Sequence, residues 1–184
     1  MSPEEANRLI AATAPWPYLM DFIALAPHTG LRSGELLGLE WRRVDLKAAV
    51  LYLEGRGVKS GKRRSVSLNS IAREALLSRA RFRAQHCPIS PWVFAHPSGD
   101  RLTDLRGSFK AVGITDFHIH GLRYTFTSWL VQVGVSLAEI RDLLGHKTVS
   151  MTERYAHAAL ENLRSATDRL APTGHLTRLA TGKG

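Results

Sequence analysis

Apolar positions recur at helical spacing over most of the chain and alternate in only one stretch, which predicts a mostly helical domain with one small sheet. The first helix is expected from about Pro3 to Ala12, with Ser2 as its cap, Pro3 at the first helical position and Glu5 closing a capping box. A second, from about Pro17 to Pro27, carries the apolar face Leu19, Phe22, Ile23, Ala26, and Gly30 ends it. Ser33 is placed to cap a short helix whose Leu36, Leu37 and Leu39 turn inward. After Trp41 the period changes. Val44 to Leu46, Val50 to Leu53 and Arg64 to Leu68 are β-branched or alternating and are separated by Gly55, Gly57 and Gly61. They predict a three-stranded antiparallel sheet whose last hairpin tip spans 58–63.

Asn69 or Ser70 then opens a helix to about Ala84. Pro88 and Pro91 break the chain, Trp92-Val93-Phe94 forms a short apolar piece, and Thr103 begins a helix that ends at Gly113. From His120 the pattern is helical again. It is followed by a helix with a Ser136–Glu139 capping box and Gly145 where a left-handed C-terminal cap is wanted. Ser150 and Glu153 repeat the box, which puts Tyr155 in the first turns of a helix running to about Leu170. Residues 171–184, with Pro172, Gly174 and Gly182, read as a tail containing one short apolar turn from Leu176 to Ala180. The fold class expected is α+β.

Composition adds a partner. The 184 residues suit one domain able to bury a core without staples, and 44% hydrophobic content is ordinary. The balance of 25 Lys and Arg against 16 Asp and Glu, +9 net, points to a polyanion, for which nucleic acid is the commonest candidate. A single cysteine, Cys87, excludes an intramolecular disulfide and a cysteine-based zinc site, and fits a reducing compartment. The N-terminus is a helix start rather than a signal peptide, and no apolar run is long enough to span a bilayer. A cytoplasmic protein with no membrane partner is expected.

Several residues could carry chemistry, and each has a plainer reading. Lys59, at a glycine-flanked hairpin tip with Lys62, Arg63 and Arg64, could enter a groove and track phosphates, or be a solvated basic turn. Arg32 and Arg123 lie in the apolar stretches TGLRSGELLGL and HGLRYTFTSWL. A buried guanidinium must be paired. Either arginine could sit in an internal salt bridge, with Glu35 nearest to Arg32, or the two could grip the non-bridging oxygens of a phosphate. His120 and Arg123, three apart, share a helix face and can reach one anion. His118, His120, His146 and His157 raise a zinc reading, but no carboxylate or cysteine stands at ligand spacing, so no metal is expected.

Taken in order, TGLRSGEL, KSGKRRSVSL, HGLRYTFTSWL and LLGHKTVSMTERYAH resemble the catalytic domain of the tyrosine site-specific recombinases, the phage-integrase family. The resemblance runs from about Ser2 to Leu170. It implies Arg32 as the first catalytic arginine with Glu35 as its acidic neighbour, Lys59 as the hairpin lysine, His120 and Arg123 as the His-x-x-Arg pair, His146 as the histidine of the Leu-Gly-His turn, and Tyr155 as the nucleophile. Tyr124 departs from the histidine that many relatives carry there. Relatives usually have an N-terminal core-binding domain that closes a clamp around DNA. This chain begins where the linker to it would end.

The resemblance further implies attack by Tyr155 on a DNA phosphodiester, giving a 3′-phosphotyrosyl link and a free 5′-hydroxyl without metal, ATP or any cofactor. His120 is then the candidate general base and Lys59 the candidate general acid, with Arg32, Arg123 and His146 stabilising the transition state. The partner would be double-stranded DNA. A homotetramer on DNA is implied for a full-length protein and a monomer for an isolated domain, with residues 171–184 as a segment exchanged between subunits. The alternatives are a catalytically silent DNA-binding module and a type IB topoisomerase.

Overall fold

Helix α2 (Pro17–Thr29) is the hub of the molecule because its sequence is apolar on nearly every side: Leu19, Phe22, Ile23, Leu25 and Ala26 are all buried. Such a helix needs neighbours around it. It packs against α1 (Pro3–Ala12), the long α4 (Ser70–His86) and α6 (Ile119–Gln132), and Phe22 meets Phe94 edge to face at 5.5 Å. The computed structural model describes residues 3–53, 64–111, 113–114 and 119–145.

Between α2 and α4 run the short α3 (Ser33–Leu37), a single 3-10 turn at Trp41–Arg43, and the strands β1 (Val44–Asp45), β2 (Val50–Leu53) and β3 (Arg64–Ser67). The strands form one antiparallel sheet in the order β1-β2-β3, with Val44 opposite Leu51 and Leu51 opposite Val66. The expected α+β architecture is therefore the observed one. Leu51, Leu53, Val66 and Leu68 carry the inner face of the sheet into the α2 core. A smaller core of Val131, Ile140 and Leu144, with Phe126, Leu130, Val135 and Leu137 against it, fixes α7 (Leu137–Leu144) to α6.

Several boundaries differ from the sequence reading, each for a local reason. Helix α2 continues past Pro27 to Thr29 because the turn is closed by other donors: the Thr29 hydroxyl donates to the Leu25 carbonyl at 2.9 Å and the Gly30 N–H to Ala26 at 3.0 Å. Strand β1 stops at Asp45, whose carboxylate accepts the Lys47 and Ala48 N–H groups and turns the chain. Helix α4 reaches His86 rather than Ala84, capped at its start by Asn69, which accepts from the Ala72 N–H at 2.9 Å. Helix α5 (Arg106–Ala111) starts later than expected because Asp104, not Thr103, receives the first amide, that of Arg106, at 3.0 Å.

Candidate active site

The site grows from the end of α2. Gly30 adopts φ 62°, the left-handed cap, and a Cβ there would lie 2.5 Å from the Phe126 ring. Only glycine permits both the turn and the close passage of α6. That passage brings Arg123, one turn before Phe126, alongside the turn, and its Nη1 donates to the Gly30 carbonyl. The chain then leaves through Arg32 into α3. Here Glu35 rather than Ser33 caps the helix: its Oε2 accepts the Arg32 backbone N–H at 2.8 Å, and Ser33 is the first helical residue.

Glu35 is the centre of a guanidinium cluster. Its Oε1 lies 3.4 Å from Arg32 Nη1, and its Oε2 accepts from Arg64 Nη2 at 2.9 Å and stands 4.0 Å from Arg123 Nη1. A second acceptor is the Leu144 carbonyl in the last turn of α7, which takes Arg64 Nη1 at 2.7 Å and Arg123 Nη2 at 2.8 Å. Terminal carbonyls of a helix lack intrahelical partners and carry the negative end of its dipole, so cations settle there. The capping box that starts α7 forms as its sequence predicts, with Ser136 Oγ accepting the Glu139 N–H at 3.3 Å and Glu139 accepting the Ser136 N–H at 3.0 Å. The Ser136 hydroxyl, which donates to Glu139 Oε2 at 2.6 Å, and then the Ser136 N–H hold the Glu139 carboxyl below the usual carboxylate range. Gly145 closes the helix at φ 63°.

Sequence reasoning points to Arg32, Glu35 and Arg123, and the structure brings these three together although Arg32 and Arg123 lie far apart in the chain. Exposure grades them: the Arg123 side chain is 11% exposed, Arg64 16% and Arg32 37%, so Arg32 is the member that faces outward. Arg64 differs from its expected place. Read as a DNA-facing residue of the basic hairpin, it points inward because it shares the face of β3 with buried Val66 and the following Leu68, while Ser65 and Ser67 are exposed. That alternation was the signal that could have found it. The Leu144 carbonyl is a backbone atom and leaves no mark in the sequence.

His120 lies in α6, one turn before Arg123; its side chain is outside the described residues. Lys59, Lys62, Arg63, His146 and Tyr155 also lie outside them. Among the described residues, no cluster of His, Cys, Asp and Glu could hold a metal ion, and no helix is long and apolar enough to cross a membrane. Among the described residues, three arginines gather on the one carboxylate of Glu35, and guanidinium groups brought together in this way suit an anion with several oxygens.

Comparison with known proteins identifies relatives of the whole domain. The profile of the phage integrase family matches residues 1–162. The integrase of Salmonella phage P22 is 32% identical over 181 residues, covering 89% of this chain and 44% of that protein. The tyrosine recombinase XerC of Azotobacter vinelandii is 33% identical over 150 residues, covering 78% and 49% respectively. The chain thus spans about half the length of these relatives. Among solved structures, XerA recombinase superposes with a TM-score of 0.76 at 27% identity, covering 94% of this chain and 65% of that one. The Tn1549 transposon integrase in complex with circular intermediate DNA superposes at 0.75 with 22% identity, covering 93% and 66%. With a family match over most of its length and the fold of tyrosine recombinase catalytic domains, this chain belongs to the phage integrase family.

Proposed function

We propose that this chain is the catalytic domain of a site-specific DNA recombinase that cuts and rejoins one strand at a time through a 3′-phosphotyrosyl intermediate. The observation that carries the reading is the convergence of Arg32 and Arg123 on Glu35, within 3.4 and 4.0 Å. In this reading Arg32 and Arg123 grip the non-bridging oxygens of the scissile phosphate. Their charge opposes the negative charge that grows on those oxygens in the pentacoordinate transition state, the role metal ions have in other phosphoryl-transfer sites. Glu35 keeps the guanidinium groups in place before DNA arrives, so little reorganisation is left for the reaction itself.

Tyr155 is the nucleophile: its phenolic oxygen forms the bond to phosphorus as the bond to the 5′-oxygen breaks. A phenol with a pKa of about 10 needs help at neutral pH. His120 takes its proton and Lys59 delivers one to the leaving 5′-oxygen, while His146 joins the arginines at the phosphate. Lys62 and Arg63 follow the DNA backbone from the hairpin. No metal, ATP or other cofactor takes part. Double-stranded DNA is the partner, consistent with the +9 charge and with the DNA held by the Tn1549 integrase of the same fold. Residues 1–170 form the catalytic unit, 171–184 pass to a neighbouring subunit in a tetramer on DNA, and the protein works in the cytoplasm.

The test is covalent capture of a nicked suicide duplex. The wild-type chain should form a protein–DNA adduct that survives EDTA, and Tyr155→Phe should form none while binding DNA with unchanged affinity. An adduct in Tyr155→Phe would overturn the assignment of the nucleophile, and loss of cleavage in EDTA with recovery on adding zinc would overturn the metal-free chemistry. Relaxation of supercoils by a monomer, without strand exchange, would favour a type IB topoisomerase.

A further inference from the structure

Arg64 stands at the first position of β3, directly after the hairpin that carries Lys59, yet its guanidinium is turned into the protein. One terminal nitrogen donates to Glu35 Oε2 at 2.9 Å and the other to the Leu144 carbonyl at 2.7 Å. The two acceptors belong to elements far apart in the chain, and each serves a second arginine: Glu35 aligns Arg32, and Leu144 holds Arg123 Nη2 at 2.8 Å. Gly145 completes the seat, for a Cβ at that position would come within 2.6 Å of Arg64 Nη1. A guanidinium fork spans two acceptors at fixed spacing, which the single ammonium of lysine cannot reproduce.

We propose that Arg64 is a positioning residue of the strand-cleavage site, tying Glu35 to the C-terminal turn of α7 so that Arg32 and Arg123 are held in register, and that it makes no contact with DNA. The inference rests on the strand-cleavage reading above. Arg64 joins three parts of the site at once: the base of the lysine hairpin, the carboxylate at the centre of the arginines, and the turn that leads into His146. A residue in that place acts on rate through the geometry of its neighbours, where an error of about 1 Å can cost roughly 10²-fold. A residue that tracked DNA phosphate would instead act on affinity and on its dependence on salt.

The experiment compares the full 184-residue chain with Arg64→Ala and Arg64→Lys on a nicked suicide duplex selected for binding to the wild type, under single-turnover conditions. At saturating DNA, Arg64→Ala is expected to form adduct roughly 10²-fold more slowly. Its half-saturating DNA concentration and salt slope should stay at the wild-type values. Arg64→Lys, which keeps the charge but not the fork, should restore little of the rate; it decides the question if Arg64→Ala does not fold. A normal rate at saturation in the folded variant would overturn the proposal. So would a salt slope reduced by about one, the signature of a lost phosphate contact. If the wild type itself forms no adduct, the cleavage reading is what has failed, and amide exchange then judges Arg64. Faster exchange in residues 141–145 of Arg64→Lys would support the tie to α7, and unchanged exchange would overturn it.

Discussion

Asp21 and Glu35 both hold arginine, one in the interface between α2 and α4 and the other in α3, and their surroundings are opposite. The Asp21–Arg79 pair is closed: Oδ2 lies 2.8 Å from Arg79 Nε, the two side chains are 3% and 2% exposed, Ser78 donates to the same carboxylate at 2.9 Å, and the guanidinium stacks on Phe82 at 4.5 Å. It is a neutral pair, matched one to one. The Nε contact satisfies an ion pair but is poorly aligned as a hydrogen bond, and Nη1 is buried with no acceptor among the described residues. Burial therefore outweighs attraction: the Asp21 carboxyl is raised to about 6, and the Arg79 guanidinium is pushed below its ordinary value. Glu35 meets three arginines and is 25% exposed. A pair that is complete within the protein serves the fold. Under the proposed function, an exposed cluster of this kind takes its further anion from DNA.

Removing one member from each region separates the two roles. Asp21→Ala should cost about 3–5 kcal/mol of unfolding free energy in urea titration, because Arg79 is left charged and buried without its partner. Arg123→Ala should slow adduct formation by about 10²–10³, with a smaller shift in the unfolding midpoint than Asp21→Ala. If Arg123→Ala instead destabilised the protein as much as Asp21→Ala and left the rate intact, the two regions would be alike and the distinction would fall.

Acid sharpens it further. A carboxyl raised from 3.8 to about 6 in the folded state binds its proton more tightly there than in the unfolded chain. Its contribution to stability is therefore fully present below about pH 4 and is lost as pH rises through 6. The difference in unfolding free energy between wild type and Asp21→Asn should change across this window and flatten on either side of it. The smallest effect expected is from Ser136→Ala, which removes the cap of α7 and should cost about 1 kcal/mol. It should leave the Asp21 titration untouched.

Most of the fold could be read along the chain because its signals are local. The α7 capping box with Gly145, the apolar face of α2, and the alternation of β2 and β3 each need only neighbouring residues to be recognised. The site was legible in part for the same reason: Glu35 is one helical turn from Arg32, and two arginines inside apolar stretches demand partners. What stayed hidden required three dimensions. Arg64 looked like one more charge in a basic hairpin, and nothing near it in sequence discloses Glu35 or Leu144 as its acceptors. The Asp21–Arg79 pair was missed because Arg79 lies in a helix rich in arginine, where Arg81 is exposed and this one is not.

The Leu144 carbonyl serves two guanidinium groups, so a small slide of α7 along its axis would loosen Arg64 and Arg123 together. What keeps α7 from sliding is the minor core of Val131, Ile140 and Leu144, which carries no charge of its own. Trimming a methyl group there would be felt as sluggish chemistry before it was felt as melting, and selection for faster joining could act on oil as readily as on charge.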